Sequence, residues 1–167
     1  MKGSYFHNVD LVQRLARAAR ALGACVSVEY PVARGQRPRS VDIFLLWEIF
    51  RIVIEVGCSI ARIGGEIPKA QNLKADLLLL VLPTPRLAAA ARRKLRRLGN
   101  QKQTATAMQI RVLTLGLALD ALRRPEILRQ WANPRSTPDR PQASRTPFVS
   151  PVRQPNRKEP SNEDSLG

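Results

Sequence analysis

Two acidic residues interrupt neighbouring apolar runs near the middle of the chain. Asp42 lies in the run Ser40-Val-Asp-Ile-Phe-Leu-Leu, and Glu55 lies thirteen residues later in the run Arg51-Ile-Val-Ile-Glu-Val. Burial of a carboxylate without a partner is costly, so the two acids either share a cation or point into water at a sheet edge. The first alternative predicts a divalent-metal site, because Mg²⁺ takes one or two carboxylates and completes its shell with waters and phosphate oxygens.

The second alternative is structural. Asp42 would then close the loop before its strand, and Glu55 would form an ion pair with Arg51 or Arg39 at the edge of the sheet. Structural ion pairs of this kind are common outside functional sites. The sequence leaves both alternatives open.

Both apolar runs predict β-strands. Residues 41–46 and 52–56 are mostly β-branched or aromatic and are too short for a core helix. An antiparallel hairpin would bring the two acids to the same end of the ladder if its turn is irregular. Residues 47–50 lack the Gly, Asn or Asp that usually form tight turns.

The surrounding sequence alternates helical and strand patterns. Asn8 can cap a first helix that Gly23 ends, residues 25–30 predict a strand ended by Pro31, and residues 33–40 predict a loop. A short helix over residues 67–73, with Pro68 in its first turn, leads to the unbroken apolar run 77–82. That run predicts a strand covered on both faces and parallel to a neighbour. A helix over 85–98, a strand over 110–115 and helices over 117–124 and 126–131 follow.

The positive charge belongs to the predicted body of the protein. The formal net charge is +15, and residues 1–132 hold 22 Lys and Arg against 9 Asp and Glu. This excess favours a polyanionic partner such as nucleic acid, and ribosome-like or membrane-surface binding would share the same signature. The candidate binding residues are Arg37, Arg39, Arg62, Arg92, Arg93, Arg96 and Arg97. For the last four, a solvated helix face opposite a core stripe of Leu87, Ala91, Leu95 and Leu98 is the alternative.

The cysteine content excludes a four-ligand zinc site. Cys25 and Cys58 are the only cysteines and His7 is the only histidine. Both cysteines are expected to be buried free thiols, which indicates a reducing, intracellular location, cytoplasmic or nucleoid-associated. The N-terminus has no apolar signal segment and run 77–82 is too short to cross a bilayer, so no membrane partner is expected.

Composition divides the chain at residue 133. Residues 1–132 predict one α/β domain, and residues 133–167 are rich in Pro, Ser and Arg and poor in large apolar residues. Such a segment cannot offset its ordering entropy, so a disordered tail is expected. The sequence is compatible with a homodimer and does not decide the oligomeric state.

The order helix, three strands, helix, strand and helix, with one acid in each of the second and third strands, resembles the restriction-endonuclease-like PD-(D/E)XK nucleases. The resemblance covers about residues 8–98, and the strand over 110–115 is a plausible extension. It implies an α/β fold in which helices flank a central mixed β-sheet with an αβββαβ core. It also implies cleavage of DNA phosphodiester bonds, by an endonuclease or an exonuclease, with Mg²⁺ or Mn²⁺.

The resemblance assigns roles to particular residues. Asp42 is similar to the family's metal-binding aspartate, and Glu55 is similar to the acid of its (D/E)-X-K strand. Gly57 occupies the position of the family's Lys, and a glycine can neither stabilise charge on the phosphate nor position the attacking water. Lys69 on the following helix is the first candidate to replace it, and Lys74 is the second.

Two questions stay open in this comparison. The family's first-helix acid corresponds either to Asp10 or to Glu29 on the first strand, although a solvated strand end is the simpler interpretation of Glu29. Gly57 also favours a rival function, in which the same fold binds DNA without cleaving it. A basic structural protein that binds nucleic acid, with incidental acids, is the third alternative.

Overall fold

The computed structural model describes residues 3–32, 39–57, 59–101 and 108–133, and their side chains except those of residues 3–8, 100 and 101. These residues all fall within one structural unit, Met1–Thr137. Arg37, Cys58 and, beyond Asn133, the predicted tail over residues 133–167 lie outside the described residues. No helix in the described ranges is long and apolar enough to cross a membrane.

The fold is α/β, with a five-stranded mixed sheet between two layers of helices. The elements are α1 (Gly3–Ala21), β1 (Cys25–Val32), β2 (Arg39–Trp47), β3 (Phe50–Val56), α2 (Ile63–Asn72), β4 (Leu77–Leu82), α3 (Pro85–Gln101), β5 (Gln109–Thr114), α4 (Leu115–Leu122) and α5 (Pro125–Ala132). The element order predicted from the apolar pattern is confirmed.

The strands lie in the order β1-β2-β3-β4-β5. The β1–β2 and β2–β3 pairs are antiparallel, whereas the β3–β4 and β4–β5 pairs are parallel. All six residues of β4 are buried, as expected for a central strand with helices on both faces. The parallel half of the sheet is therefore the half that has the continuous apolar run.

A two-residue turn, Glu48-Ile49, closes the β2–β3 hairpin, with Trp47 opposite Phe50. Glu48 adopts a φ of 54°, a left-handed conformation that Gly or Asn usually supplies. The side chain of Arg129 on α5 donates hydrogen bonds to both carboxylate oxygens of Glu48 and lies 5.3 Å from the centre of the Trp47 ring. Contacts from α5 thus hold a turn whose own residues do not favour it.

The two faces of the sheet have separate cores. On one face, α1, α4 and α5 pack against alternate residues of the sheet such as Ile43, Ile54 and Leu79. On the other, α2 and α3 pack against Phe44, Val53 and Leu80. Because side chains alternate along a strand, Asp42 and Glu55 belong to the face that α2 covers.

Several predicted boundaries are wrong. The first helix begins at Gly3, so Asn8 lies inside it instead of capping it. Pro31 does not end β1, which continues to Val32, and β2 begins at Arg39 within the predicted loop. The second helix begins at Ile63, four residues before the predicted start, so Pro68 lies inside the helix.

Two predicted burial states are also wrong. Cys25 is exposed, because it starts β1, an edge strand of the sheet. Leu87 is 38% exposed, while Ala88 and Ala91 are buried against the sheet. The core stripe of α3 therefore begins one residue later than predicted.

Candidate functional site

The hairpin register places Asp42 and Glu55 opposite each other. Ladder pairing between β2 and β3 extends from Trp47 and Phe50 to Ile43 and Ile54, and the next pair in this register is Asp42 and Glu55. The Asp42 carboxylate accepts a hydrogen bond of 2.6 Å from the Val56 N–H and so replaces the next ladder bond. Asp42 thus lies within β2 and does not close a loop before it.

Glu55 is 4% exposed and contacts three charged side chains. Its carboxyl group lies within hydrogen-bonding reach of the carboxyl groups of Asp42 and Glu66. The Lys69 Nζ atom lies 3.4 Å from Glu55 Oε1 and forms a closer ion pair with Glu66. Glu55 therefore pairs with Lys69, and the predicted pairing with Arg51 or Arg39 is wrong.

Helix α2 supplies both Glu66 and Lys69. Ile63, Glu66 and Ala70 are the buried residues of this helix, at the i, i+3 and i+7 spacing of one helical face. Glu66 is only 7% exposed, and Lys69 lies one turn further along toward Glu55. Burial of Ile63 and Ala70 therefore places Glu66 and Lys69 next to the sheet.

The carboxyl groups of Glu55 and Asp42 resist ionisation. Burial, with the neighbouring charges of Asp42 and Glu66, raises the pKa of Glu55 to about 9. Burial likewise raises the pKa of Asp42, and the hydrogen bond from Val56 opposes part of that rise. Burial alone would lower the pKa of Lys69, but its hydrogen bond with Glu66 and the charge of Glu55 outweigh burial and raise it.

The cluster therefore holds three carboxyl groups and one ammonium group, and Glu55 binds a proton at neutral pH. Asp42 and Glu55 are the pair that could hold a metal ion, since Mg²⁺ needs only one or two carboxylates when phosphate and water complete its shell. Within the described ranges, no group of three or more His, Cys, Asp or Glu side chains is arranged to hold a metal ion. The residues thus fit a cation held partly by its substrate better than a fully protein-ligated one.

A cleft of about 660 Å³ opens beside this cluster, and we call it the Asp42 cleft. Its lining residues are Arg39, Ser40, Asp42, Ala61, Arg62, Gly65, Glu66 and Lys69. Arg39 at the start of β2 and Arg62 directly before α2 are exposed, and both bring positive charge to the cleft. The cleft therefore combines buried carboxyl groups with arginines that can bind phosphate.

The four arginines of α3 that are candidate binding residues have different surroundings. Arg92 donates a 2.7 Å hydrogen bond to the Val112 carbonyl oxygen and so contacts β5. Arg93 and Arg97 line a smaller cavity of about 420 Å³ with Ile60, directly before the residues of the Asp42 cleft. Arg96 is exposed. Arg93 and Arg97 thus line a cavity of their own, and none of the four candidate arginines of α3 lines the Asp42 cleft.

Lys94 has a role that the sequence did not indicate. Its Nζ atom donates hydrogen bonds of 2.8 and 2.9 Å to the carbonyl oxygens of Ile60 and Ala61. Those residues lead directly into Arg62 and α2. Lys94 therefore ties α3 to the segment that positions Glu66 and Lys69.

Other candidates lie away from the cluster. Lys74 is exposed, follows α2 and has a φ of 53°; it leads into the start of β4, the end of the sheet opposite Glu55. Asp10 lines a different cleft beside α1. Glu29 is opposite Asp42 in the β1–β2 register, but its φ of 50° interrupts that pairing and its side chain is exposed.

Glu66 is the site residue that the sequence prediction missed. The predicted helix began at residue 67 and so excluded it. Its spacing from Ile63 and Ala70 is the signal that could have identified it, because an acid within an apolar helical stripe must be buried next to a partner.

Gly57, two residues after Glu55, has a φ of 64° and donates a backbone hydrogen bond to Val81. A side chain would be strained in this left-handed conformation, so a lysine at this position would be disfavoured. The basic group next to Glu55 comes instead from α2.

Searches of protein-family models, curated proteins and solved structures find no match to this chain.

Proposed function

We propose that the protein is a divalent-metal-dependent nuclease that hydrolyses DNA phosphodiester bonds in the Asp42 cleft. The observation that carries the proposal is the contact between Asp42, Glu55 and Lys69 at a cleft rimmed by arginines. The restriction-endonuclease-like fold belongs to the same proposal. Its support is the αβββαβ element order, with the two acids on adjacent strands.

Each residue has a distinct task in this proposal. Asp42 and Glu55 are the metal ligands, and Mg²⁺ or Mn²⁺ would polarise the phosphate and lower the pKa of a bound water. Lys69 stabilises the negative charge that develops on the phosphate, the task that Gly57 cannot perform. Arg39 and Arg62 bind the DNA backbone and place it in the cleft.

The proton on Glu55 gives this site a specific property. Metal binding requires the ionised carboxylate, so it must displace that proton. A cation would then replace the proton as the group that balances Glu55 and Asp42. Metal affinity is expected to increase with pH up to about 9, the raised pKa of Glu55.

A catalytically inactive DNA-binding module is the second candidate. Two observations favour it: Gly57 stands where the family has Lys, and Lys69 is held by the Glu66 carboxylate as well as by Glu55. In this candidate the Glu55–Lys69 pair is a purely structural element, and the arginines alone provide the function.

The deciding experiment measures cleavage of labelled DNA, single- and double-stranded, linear and circular, in Mg²⁺ and in Mn²⁺. We expect Asp42→Asn and Glu55→Gln to abolish cleavage, because each removes a ligand of the metal ion. DNA binding should be unchanged in Glu55→Gln, since Glu55 is already neutral without metal, and unchanged or tighter in Asp42→Asn, which removes a repulsion against phosphate. Asp120→Asn, a change at an exposed acid on α4, is the matched control and should cleave normally.

Three outcomes separate the candidates. DNA binding without cleavage in either metal supports the inactive module. Cleavage that survives both acid substitutions contradicts the assignment of Asp42 and Glu55. Binding that does not weaken with salt contradicts a phosphate-directed surface in either candidate, since counterion release makes such binding steeply salt-dependent.

A further inference from the structure

We propose that a second cleft, formed by α1 and the α4–α5 segment, binds an acidic amphipathic helix of a partner protein. This inference goes beyond the proposed nuclease function. The cleft has a volume of about 860 Å³. Its lining residues are Asp10, Arg14, Arg17, Ala18, Ala21, Leu22, Leu119, Leu122, Arg123 and Pro125. We call it the α1–α4 cleft.

The α1–α4 cleft lies on the other side of the sheet from the Asp42 cleft. Helices α1 and α4 pack against the face that contains Ile43 and Ile54, whereas α2 packs against the face that contains Phe44 and Val53. The sheet therefore separates the two clefts, and a partner in one does not occupy the other.

The floor of the α1–α4 cleft is apolar. Ala18, Leu22 and Leu119 are only partly buried although they pack against the core, and Leu122 and Pro125 continue the same surface. A concave apolar floor between two helices is the type of surface into which an amphipathic helix places its apolar face. The floor thus requires apolar side chains from the partner.

The rim is basic and its charges are available. Arg14, Arg17 and Arg123 are exposed. Arg17 donates a 3.4 Å hydrogen bond to the Gln13 carbonyl oxygen of its own helix, and Arg123 lies 3.9 Å from the exposed carboxylate of Asp120. Within the described part of the chain, no ion pair engages Arg14. Acidic residues beside the partner's apolar face would complement these three guanidinium groups.

The length of the cleft favours a helix over a small ligand. Its α1 wall extends from Asp10 to Leu22, which is roughly 18 Å at the helical rise of 1.5 Å per residue. That length matches about three turns of a partner helix. DNA is a weaker match, because phosphates could contact the arginines but would leave the apolar floor uncovered.

The test uses a fluorescein-labelled 16-residue peptide with Leu at every third or fourth position on one helical face and Glu on the other. Its binding to the full chain is followed by fluorescence anisotropy. We expect the double variant Arg14→Glu/Arg17→Glu to weaken binding by about tenfold or more, through lost attraction and added repulsion. Arg20→Glu/Arg86→Glu is the control with the same change in net charge, since Arg20 and Arg86 are exposed outside the cleft, Arg20 on the same helix. We expect this control to change the affinity by less than about twofold.

The floor has its own test. Ala21→Trp places a large side chain at an exposed position of the cleft wall and should weaken the peptide by about tenfold, because it occupies the groove. A peptide in which Ser replaces every Leu, with the same charge, should bind about tenfold more weakly or worse. Circular dichroism of each variant verifies that the helices are intact.

Several results would overturn the proposal. These are equal loss of affinity with Arg20→Glu/Arg86→Glu and with Arg14→Glu/Arg17→Glu, equal binding of the Ser peptide, or no effect of Ala21→Trp. A 16-base-pair DNA duplex provides the remaining comparison. If the duplex displaces the peptide and its own affinity falls more in Arg14→Glu/Arg17→Glu than in Arg20→Glu/Arg86→Glu, the cleft is a nucleic-acid site and the proposal fails.

Discussion

The two ends of the β2–β3 hairpin each place an acid next to a basic side chain, and the two contacts differ in burial and in charge balance. At the turn, the exposed Glu48 is matched by the exposed Arg129, with side chains 39% and 52% exposed. At the other end, the Glu55 side chain is 5% exposed and shares Lys69 with Glu66 while it faces Asp42. One hairpin thus contains a balanced pair in water and an unbalanced cluster under a helix.

The different surroundings shift the pKa values of the two acids in opposite directions. The hydrogen bond from Arg129 lowers the pKa of Glu48, whereas burial raises the pKa of Glu55 to about 9. Glu48 is ionised and satisfied within the protein. Glu55 instead holds a proton that a cation could replace, and this property distinguishes a candidate functional site from an ion pair that only holds a turn.

The largest difference in cleavage rate between the two ends is expected when the basic side chain next to each acid is removed. If the cluster is a nuclease site, Lys69→Ala should lower the rate of metal-dependent DNA cleavage by about a hundredfold, the scale for loss of one charge-stabilising group. Arg129→Ala should leave the rate within about twofold, because Arg129 contacts the turn and not the Asp42 cleft. Single-turnover cleavage assays at saturating metal measure both.

Lys69→Arg sharpens this prediction. It keeps the positive charge, so it should recover part of the lost rate if charge is what Lys69 supplies. Equal rates for Lys69→Ala and the unchanged protein would show that Lys69 is only a structural partner of Glu66.

The next effect concerns the segment that positions the buried cluster. Lys94→Met removes the hydrogen bonds to the Ile60 and Ala61 carbonyls and should lower the cleavage rate by about tenfold, since α2 is then held less firmly. Arg96→Met removes the same charge from an exposed residue of the same helix. It should weaken DNA affinity slightly at low salt and leave the single-turnover rate unchanged. A rate for Lys94→Met that matches Arg96→Met would exclude a positioning role for Lys94.

The third prediction compares the pH dependence of stability at the two ends. The pKa of Glu55 is raised from 4.5 to about 9, so between these pH values Glu55 binds a proton in the folded protein but not in the unfolded chain. The contribution of Glu55 to the free energy of unfolding therefore decreases as the pH rises from 4.5 to about 9. The decrease is at most about 1.4 kcal/mol per pH unit. Glu48 has the opposite sign: its lowered pKa contributes stability at neutral pH that is lost as the solution becomes acidic.

Thermal unfolding from pH 6 to 9 in the presence of a chelator measures this difference. Glu55→Gln should flatten the decrease in melting temperature, and Glu48→Gln should not. Addition of Mg²⁺ at pH 9 should stabilise the unchanged protein more than Glu55→Gln if the cation replaces the proton. Parallel pH profiles for all three proteins would contradict the raised pKa of Glu55.

The smallest effect is expected at the turn. Arg129→Ala removes an exposed ion pair and the contact with the Trp47 ring, and should lower the melting temperature by only about 1 to 2 °C. The effect should shrink at 1 M NaCl because exposed charges are screened. Arg123→Ala is the matched control, since its ion pair with Asp120 is longer and more exposed. A loss larger than that of Lys69→Ala would reverse the comparison between the two ends.

The sequence by itself determined the local elements and one part of the cluster. Apolar runs of strand length predicted β2, β3 and the fully buried β4, because side-chain alternation and continuous burial are encoded within a few residues. The acids inside two adjacent runs predicted that Asp42 and Glu55 would meet. The two acids lie on the two strands of one hairpin, only thirteen residues apart, so their contact depends mainly on local sequence.

Only the tertiary structure decided which charged residues join those acids. The spacing of Glu66 indicates burial but not its partners, and Lys69 resembles an ordinary surface residue of a short helix until α2 packs on the sheet. Lys74, a few residues later, is exposed beyond the helix end. The turn at Glu48 likewise depends on Arg129, eighty-one residues away along the chain. Burial and charge pairing are properties of packed surfaces, so they depend on contacts between distant segments that no local pattern specifies.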